Sequence, residues 1–288
     1  MNLGTIGVWS GALRNGERSA ILDASAELED LGYGTIWFPG GAHEGLAEHI
    51  LAILGSTRRV VVATGIVSIW THPAAAIAAA HHAITQAHPG RFLLGVGISH
   101  RQVVEGSGLK YARPLAKLIE YLDELDAAPT PVPIEERILA SLGPKSLQLA
   151  RDRSAGTHPY FVPVAHTRIA RQAVGPGKIV APEQMAVLEA DPARARAIAR
   201  PSMDRYLHAP NYTNNLLRLG YTEEDFANGG SDKLVDDLIA WGDAPKVMQR
   251  VNEHHAAGAD HVLLQPLAPD VDGAISQLED LAIPLIPA

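Results

Sequence analysis

A chain of 288 residues with 47% hydrophobic and 19% charged residues can bury one large core and is too apolar to belong with disordered proteins. Its 24 basic and 32 acidic residues leave a formal charge of -8 with no lysine-arginine run, which argues against nucleic acid as a partner. Cysteine is absent, so disulfides, thiol nucleophiles and thiolate metal sites are excluded.

In chain order, Leu3 to Val8 reads as a first strand. It is followed by a helix from Ser19 to Leu31, whose Ile21, Leu22, Leu28 and Leu31 recur at helical spacing before Gly32. A strand at Thr35 to Phe38 and a helix near Leu46 to Leu54 repeat the pattern. The β-branched run Val60 to Thr64 is the third strand, and Pro73 opens a helix reaching about His88. Phe92 to Val96 is the fourth strand, with a long helix over Tyr111 to Leu125 after it. Ile138 to Ala140 is expected as strand, Ser146 to Ala150 as helix, Thr157 to Val162 as strand and His166 to Val174 as helix. Met185 to Leu188 is the seventh strand, a helix starts at about Pro192, and the helix Pro245 to Ala257 leads to the last strand, His261 to Gln265.

Short apolar strands bounded by breakers are expected where both faces of a sheet are covered. Eight β/α alternations point to a closed (β/α)₈ TIM barrel of class α/β, read as one domain over residues 1–288. A doubly wound open sheet shares the local pattern but more often stops at five or six strands. Residues 204–230 break the alternation and are expected to lie over one rim as an extended loop with short helices. Met1 to Ile6 lacks a basic secretion segment, and no apolar run reaches membrane-spanning length. A cytoplasmic protein without a membrane partner is expected, and a homodimer is one arrangement the pattern allows.

In such a barrel the chemistry sits beyond the C-terminal ends of the strands. The sharpest local feature there is Ala140 to Ser146, in which a strand enters a Gly143-Pro144 turn and leaves as a helix. The free N–H groups of its first turn suit phosphate oxygens, with Ser146 or Lys145 as a further donor; a stability cap is the plainer reading. Gly95-Val96-Gly97 admits a flat ring or merely relieves packing, and it lacks the dinucleotide spacing. Gly65-Ile66-Val67-Ser68 lies against a ring or simply makes a tight exit from the barrel. Trp9, Trp37 and Trp70 fall near strand ends and suit an apolar wall or ordinary core. The 13 histidines include His81-His82 and His254-His255, yet no metal-binding spacing occurs and no metal is expected. No serine sits in a nucleophile elbow. A metal-free aldolase or isomerase acting on a phosphorylated substrate would need a correctly placed base or a Schiff-base lysine, for which Lys145 is the first candidate.

Across the whole chain, in order, Leu3 to Trp9, Gly34 to Phe38, Phe92 to Gly97, Leu142 to Ser146, Thr157 to Phe161, Ala181 to Gln184 and Gly258 to Val262 resemble the luciferase-like monooxygenase superfamily, particularly its actinobacterial deazaflavin-dependent oxidoreductases. The resemblance implies a luciferase-like barrel that binds coenzyme F420, an 8-hydroxy-5-deazaflavin, with FMN as the alternative, and exchanges hydride with a small organic substrate. It places the phosphate at Leu142, Gly143, Pro144, Lys145 and Ser146. The ring falls near Gly65, Ile66, Val67 and Ser68, often around a non-prolyl cis peptide, with Gly40, Gly97, His158 and Pro159 nearby. Relatives often carry an acidic residue and a histidine after the second strand, where this chain has Pro39-Gly40-Gly41-Ala42-His43. His43, Trp70, His100 and Tyr212 are the candidates for substrate orientation or proton exchange, and a barrel that binds the cofactor without turnover is the competing outcome.

Overall fold

A computed structural model describes residues 1–41, 44–268 and 270–282. Eight parallel strands form its frame: β1 Ile6–Trp9, β2 Thr35–Phe38, β3 Val61–Thr64, β4 Phe92–Gly97, β5 Arg137–Leu139, β6 Gly156–Thr157, β7 in two pieces at Ile179–Val180 and Glu183–Val187, and β8 Val262–Pro266. Each pairs with its neighbour in chain order, and Ile6 opposite Val262 joins the last strand to the first. The sheet closes through β7. Ala181 and Glu183 donate to the carbonyls of Thr157 and Pro159, both at 2.9 Å, while Leu263 donates to the carbonyl of Pro182 at 2.9 Å. Pro182, which has no N–H to offer, separates the two pieces.

Side chains alternate between two buried faces. Trp37, Val61, Ala63, Leu93, Ile138 and Leu263 pack inside the cylinder, whereas Val8, Ile36, Val62, Leu94, Leu139 and Leu264 meet the helices outside. This accounts for the continuous apolar runs, since no strand face is left for water. Inside, a polar row fixes its own proton positions. His261 Nδ1 donates to the Gly4 carbonyl at 2.9 Å, so its Nε2 accepts the Thr35 hydroxyl at 2.7 Å, and the Thr35 oxygen accepts the Trp37 indole N–H at 2.8 Å. Gly7 makes room for this row, because a Cβ there would stand 1.9 Å from Thr35 Oγ1.

The surrounding helices follow the expected order with shifted ends, as in Arg18–Asp30, Leu46–Ser56, Ala74–Ala87 and Pro114–Asp126. Three features depart from the sequence reading. The Thr157 to Val162 strand shrinks to Gly156–Thr157, because Pro159 cannot donate to a ladder and Phe161 adopts φ 57°. A two-residue strand, Val67–Ser68, extends the sheet beyond β3 by pairing with Val96 and Gly97. A strand at Ile239–Trp241, absent from the expectation, pairs with the second piece of β7. It follows the helix Asp232–Leu238 with no breaker between them, which hides it from pattern reading.

The expected rim excursion is more helical than an extended loop. Residues 204–207 end the helix Pro192–Leu207, and Pro210–Arg218 and the 3₁₀ segment Glu223–Gly229 follow. Among the described residues no helix is long and apolar enough to cross a membrane.

Candidate functional site

A cavity of about 1260 Å³ opens at the C-terminal ends of the strands, and residues from the excursion form part of its wall. Gly65, Ile66, Leu142, Gly143, Ser146, His158, His100 and Tyr212, all expected at a site, line it. Gly40, Val67, Ser68, Gly97, Pro144, Lys145, Pro159 and Trp70 are not among its lining residues. His43 lies outside the described residues.

The reasons are local. Gly40 packs on the extension of β3, where its Cβ would stand 2.9 Å from Val67 Cα. Val67 is wholly buried, and Ser68 Oγ accepts the Trp70 N–H at 3.4 Å. A Cβ at Gly97 would meet Ile66 at 2.8 Å, so that glycine serves packing beneath the cavity. Lys145 and Pro144 face solvent on the far side of their helix turn, and Pro159 is buried behind the wall. Trp70 stands behind the wall as well, with its indole N–H on the Ile98 carbonyl at 2.7 Å and its ring 5.3 Å from Tyr111. It borders a separate pocket of about 330 Å³. Of the other two tryptophans, Trp37 is core and Trp9 is wall.

One end of the cavity is a cup for an anion. Gly143 is extended at the start of the helix Pro144–Arg153, and Ser146 Oγ donates to the Gly143 carbonyl at 2.9 Å. Proline has no N–H, so the first-turn donors are the amides of Lys145 and Ser146, with the positive end of the helix dipole behind them. A Cβ built on Gly143 would lie 3.8 Å from Arg218 Nη2 and 3.9 Å from Ser146 Oγ, so the glycine leaves open space between a guanidinium and a hydroxyl. His166 Nε2 donates to the Leu142 carbonyl at 3.0 Å. Burial, opposed by that bond and aided by the Arg218 charge, lowers its pKa, leaving Arg218 as the cation beside the cup. Of the two further donors expected from sequence, Ser146 or Lys145, Ser146 lines the cup, and the cation beside it is Arg218 from the excursion.

A second wall is formed by Trp9, Gly65 and Ile66. The Gly65–Ile66 peptide is cis, and the Trp9 indole N–H donates to the Gly65 carbonyl at 3.1 Å. A Cβ at Gly65 would fall 2.3 Å from that indole nitrogen, so only glycine fits against it. Beside it, His158 Nδ1 donates to the Ala181 carbonyl at 2.8 Å, which leaves Nε2 without a proton; burial brings the ring to a pKa of about 4.

The third wall is aromatic. Tyr160 lies 5.3 Å from Trp9 and 5.4 Å from Tyr206, and Tyr212 lies 5.2 Å from both Tyr206 and His100. Burial lowers the His100 pKa, and its Nδ1 is 3.4 Å from Asn211 Oδ1. Arg205, Tyr206, Arg218 and Gln265 escaped the sequence reading. Only Gln265 carried a local signal, as a polar residue ending an apolar strand.

Comparison with known proteins adds four findings. The profile of the luciferase-like monooxygenase family matches residues 5–261. A protein of Mycobacterium tuberculosis named as a coenzyme F420-dependent oxidoreductase is 27% identical over 330 residues, spanning 89% of this chain and 92% of that one. Among solved structures, the coenzyme F420 dependent tetrahydromethanopterin reductase of Methanopyrus kandleri superimposes with a TM-score of 0.76 at 14% identity, over 99% and 100% of the two chains. The oxygenating constituent of 3,6-diketocamphane monooxygenase from Pseudomonas putida, in complex with FMN, gives 0.70 at 14% identity over 100% of both. At these identities the two structures establish likeness of fold.

Proposed function

The chain belongs to the luciferase-like monooxygenase family, and from that premise we propose that it is an oxidoreductase that binds coenzyme F420 in the rim cavity and exchanges hydride with a small organic substrate. The observation that carries this reading is the pairing, in one cavity, of an anion cup at Gly143, Ser146 and Arg218 with a wall at Gly65, Ile66 and Trp9. The volume of about 1260 Å³ exceeds a typical single-ligand pocket of roughly 300–1,000 Å³, leaving room for a substrate beside a cofactor. The curated relative named for F420 supports the deazaflavin.

The residues fit such a group at both ends. The Lys145 and Ser146 amides and the Arg218 guanidinium would hold its phosphate, and the Gly65 and Ile66 backbone with Trp9 would carry its ring. When bound, the deazaflavin supplies two-electron hydride exchange. Trp9, Ile66, Tyr160 and Tyr212 exclude water from that wall and orient the partner molecule. We read residues 1–288 as one functional unit, with the excursion folded over the cavity mouth. FMN is the second reading, favoured by the fold neighbour that holds it.

Titration of the protein with F420 and with FMN, followed by tryptophan fluorescence and ligand absorbance, tests the assignment. F420 is expected to bind more tightly, a reversed order would favour the FMN reading, and a protein that binds neither would refute both.

A further inference from the structure

Four cavity residues form a row through hydrogen-bonding groups to which the cofactor reading gives no part. The Arg205 guanidinium donates to the Tyr206 hydroxyl, the Tyr206 and Tyr160 hydroxyls are 2.9 Å apart, and the Tyr160 hydroxyl donates to Gln265 Oε1 at 2.9 Å. An amide oxygen only accepts, so the one Tyr160 proton is committed to Gln265 and the Tyr206 proton must point at the Tyr160 oxygen. The Tyr206 oxygen is then free to accept from Arg205. All three bonds run the same way, from an exposed cation through two phenols to the Gln265 amide oxygen. Hydrogen bonds aligned in this sense polarise one another, so Tyr160 is a stronger donor than an isolated phenol.

We propose that Tyr160 is the donor of a substrate-oxygen subsite, in which an organic ligand bearing a negative or partly negative oxygen on an sp² carbon, as in a phenolate, enolate or carbonyl, takes the place of Gln265 Oε1. Its flat apolar body would lie among Trp9, Tyr206 and Tyr212, whose rings stand 5.3, 5.4 and 6.4 Å from that of Tyr160. Trp9 links the subsite to the second wall through its bond to the Gly65 carbonyl. The groups that face Tyr160 do not oppose a negative oxygen at neutral pH. Glu183 behind it is held protonated by burial, the His158 ring 6.3 Å away is kept neutral by burial, Tyr206 and Tyr212 stay neutral, and Arg205 is a cation. The inference rests on the oxidoreductase reading of the cavity and deepens it by naming the substrate class.

The test uses the full chain with two probes of similar shape, 4-nitrophenol and its methyl ether 4-nitroanisole. The intact protein is expected to prefer the nitrophenol by roughly tenfold or more, the scale of a hydrogen bond to a charged oxygen, and to hold it with the absorbance of the phenolate at about pH 6, below its ordinary ionisation. Tyr160→Phe should abolish the preference and the spectral shift while 4-nitroanisole still binds. Arg205→Met, at an exposed position, and Tyr206→Phe keep the donor but break the row, and each should weaken phenolate binding about threefold. Equal preference in Tyr160→Phe and the intact protein, or failure of the intact protein to bind the phenolate, overturns the proposal. F420 titration on the same samples separates the two readings: F420 binding without phenolate binding sinks the subsite alone, and the converse sinks the cofactor assignment alone.

Discussion

Glu183 makes the strongest quantitative prediction. It lies in β7, 2% exposed, with Oε2 accepting the Phe161 N–H at 3.2 Å and Oε1 without a hydrogen-bond partner among the described residues. Burial pushes its pKa from 4.5 up to about 8, against the opposing effect of the Phe161 bond, so the folded protein holds a neutral carboxylic acid at neutral pH. A folded-state pKa above the unfolded value means stability that is complete below about pH 4.5 and drains away as pH rises through about 8. Integrating the linkage relation between pH ~6 and pH ~9 gives a loss of about 3 kcal/mol from this residue alone. Glu183→Gln keeps the shape and the acceptor for Phe161 but cannot ionise. Urea unfolding followed by tryptophan fluorescence should therefore show the stability difference, wild type minus variant, falling by about 3 kcal/mol over that interval. Parallel stability curves for the two proteins would refute the reasoning. The effect should also reach the cavity, because Phe161 packs 4.9 Å from Tyr206 and 5.4 Å from Tyr212.

Arg218→Met should weaken F420 binding about tenfold or more, as expected for losing one charge-assisted contact to phosphate, and should flatten its salt dependence; fluorescence titration at two ionic strengths checks both. Gly65→Ala forces a Cβ to 2.3 Å from the Trp9 indole nitrogen, so unfolding measurements should show a loss of about 1–3 kcal/mol together with impaired cofactor titration. His158 and His261 are wholly buried with pKa values lowered by burial to about 4, against bonds to Ala181 and Gly4. Depressed histidine values reverse the Glu183 sign: stability is present above the unfolded pKa of about 6.5 and is lost as pH falls toward 4. Each histidine should remove about 2 kcal/mol between pH ~7 and pH ~5, measurable as a falling urea midpoint that Glu183→Gln leaves in place.

What was legible from sequence and what was not separate along a physical line. Most of the barrel strands could be read because a strand buried on both faces is largely apolar, as Val60 to Val62 and Phe92 to Leu94 are, and that requirement is written into consecutive residues. The anion cup was half legible: Gly143 before Pro144 and Ser146 is a local pattern, whereas its cation comes from Arg218, more than seventy positions away, and no pattern distinguishes that arginine from the exposed ones. The Thr157 to Val162 expectation failed at Pro159 and Phe161, where one residue lacks a donor and the next but one takes a left-handed conformation held by Glu183. The same turn lifts Tyr160 off the strand and onto the cavity wall, so the feature that spoiled the strand assignment is the one that builds the aromatic site. A phenol gains unusual donor strength only from what is bonded behind it, and Tyr206 and Arg205 are brought there by an excursion that joins Tyr160 solely in three dimensions. Local chemistry therefore announces where a ligand's phosphate can rest, while the groups that would choose the substrate stay hidden until the excursion is folded over the rim.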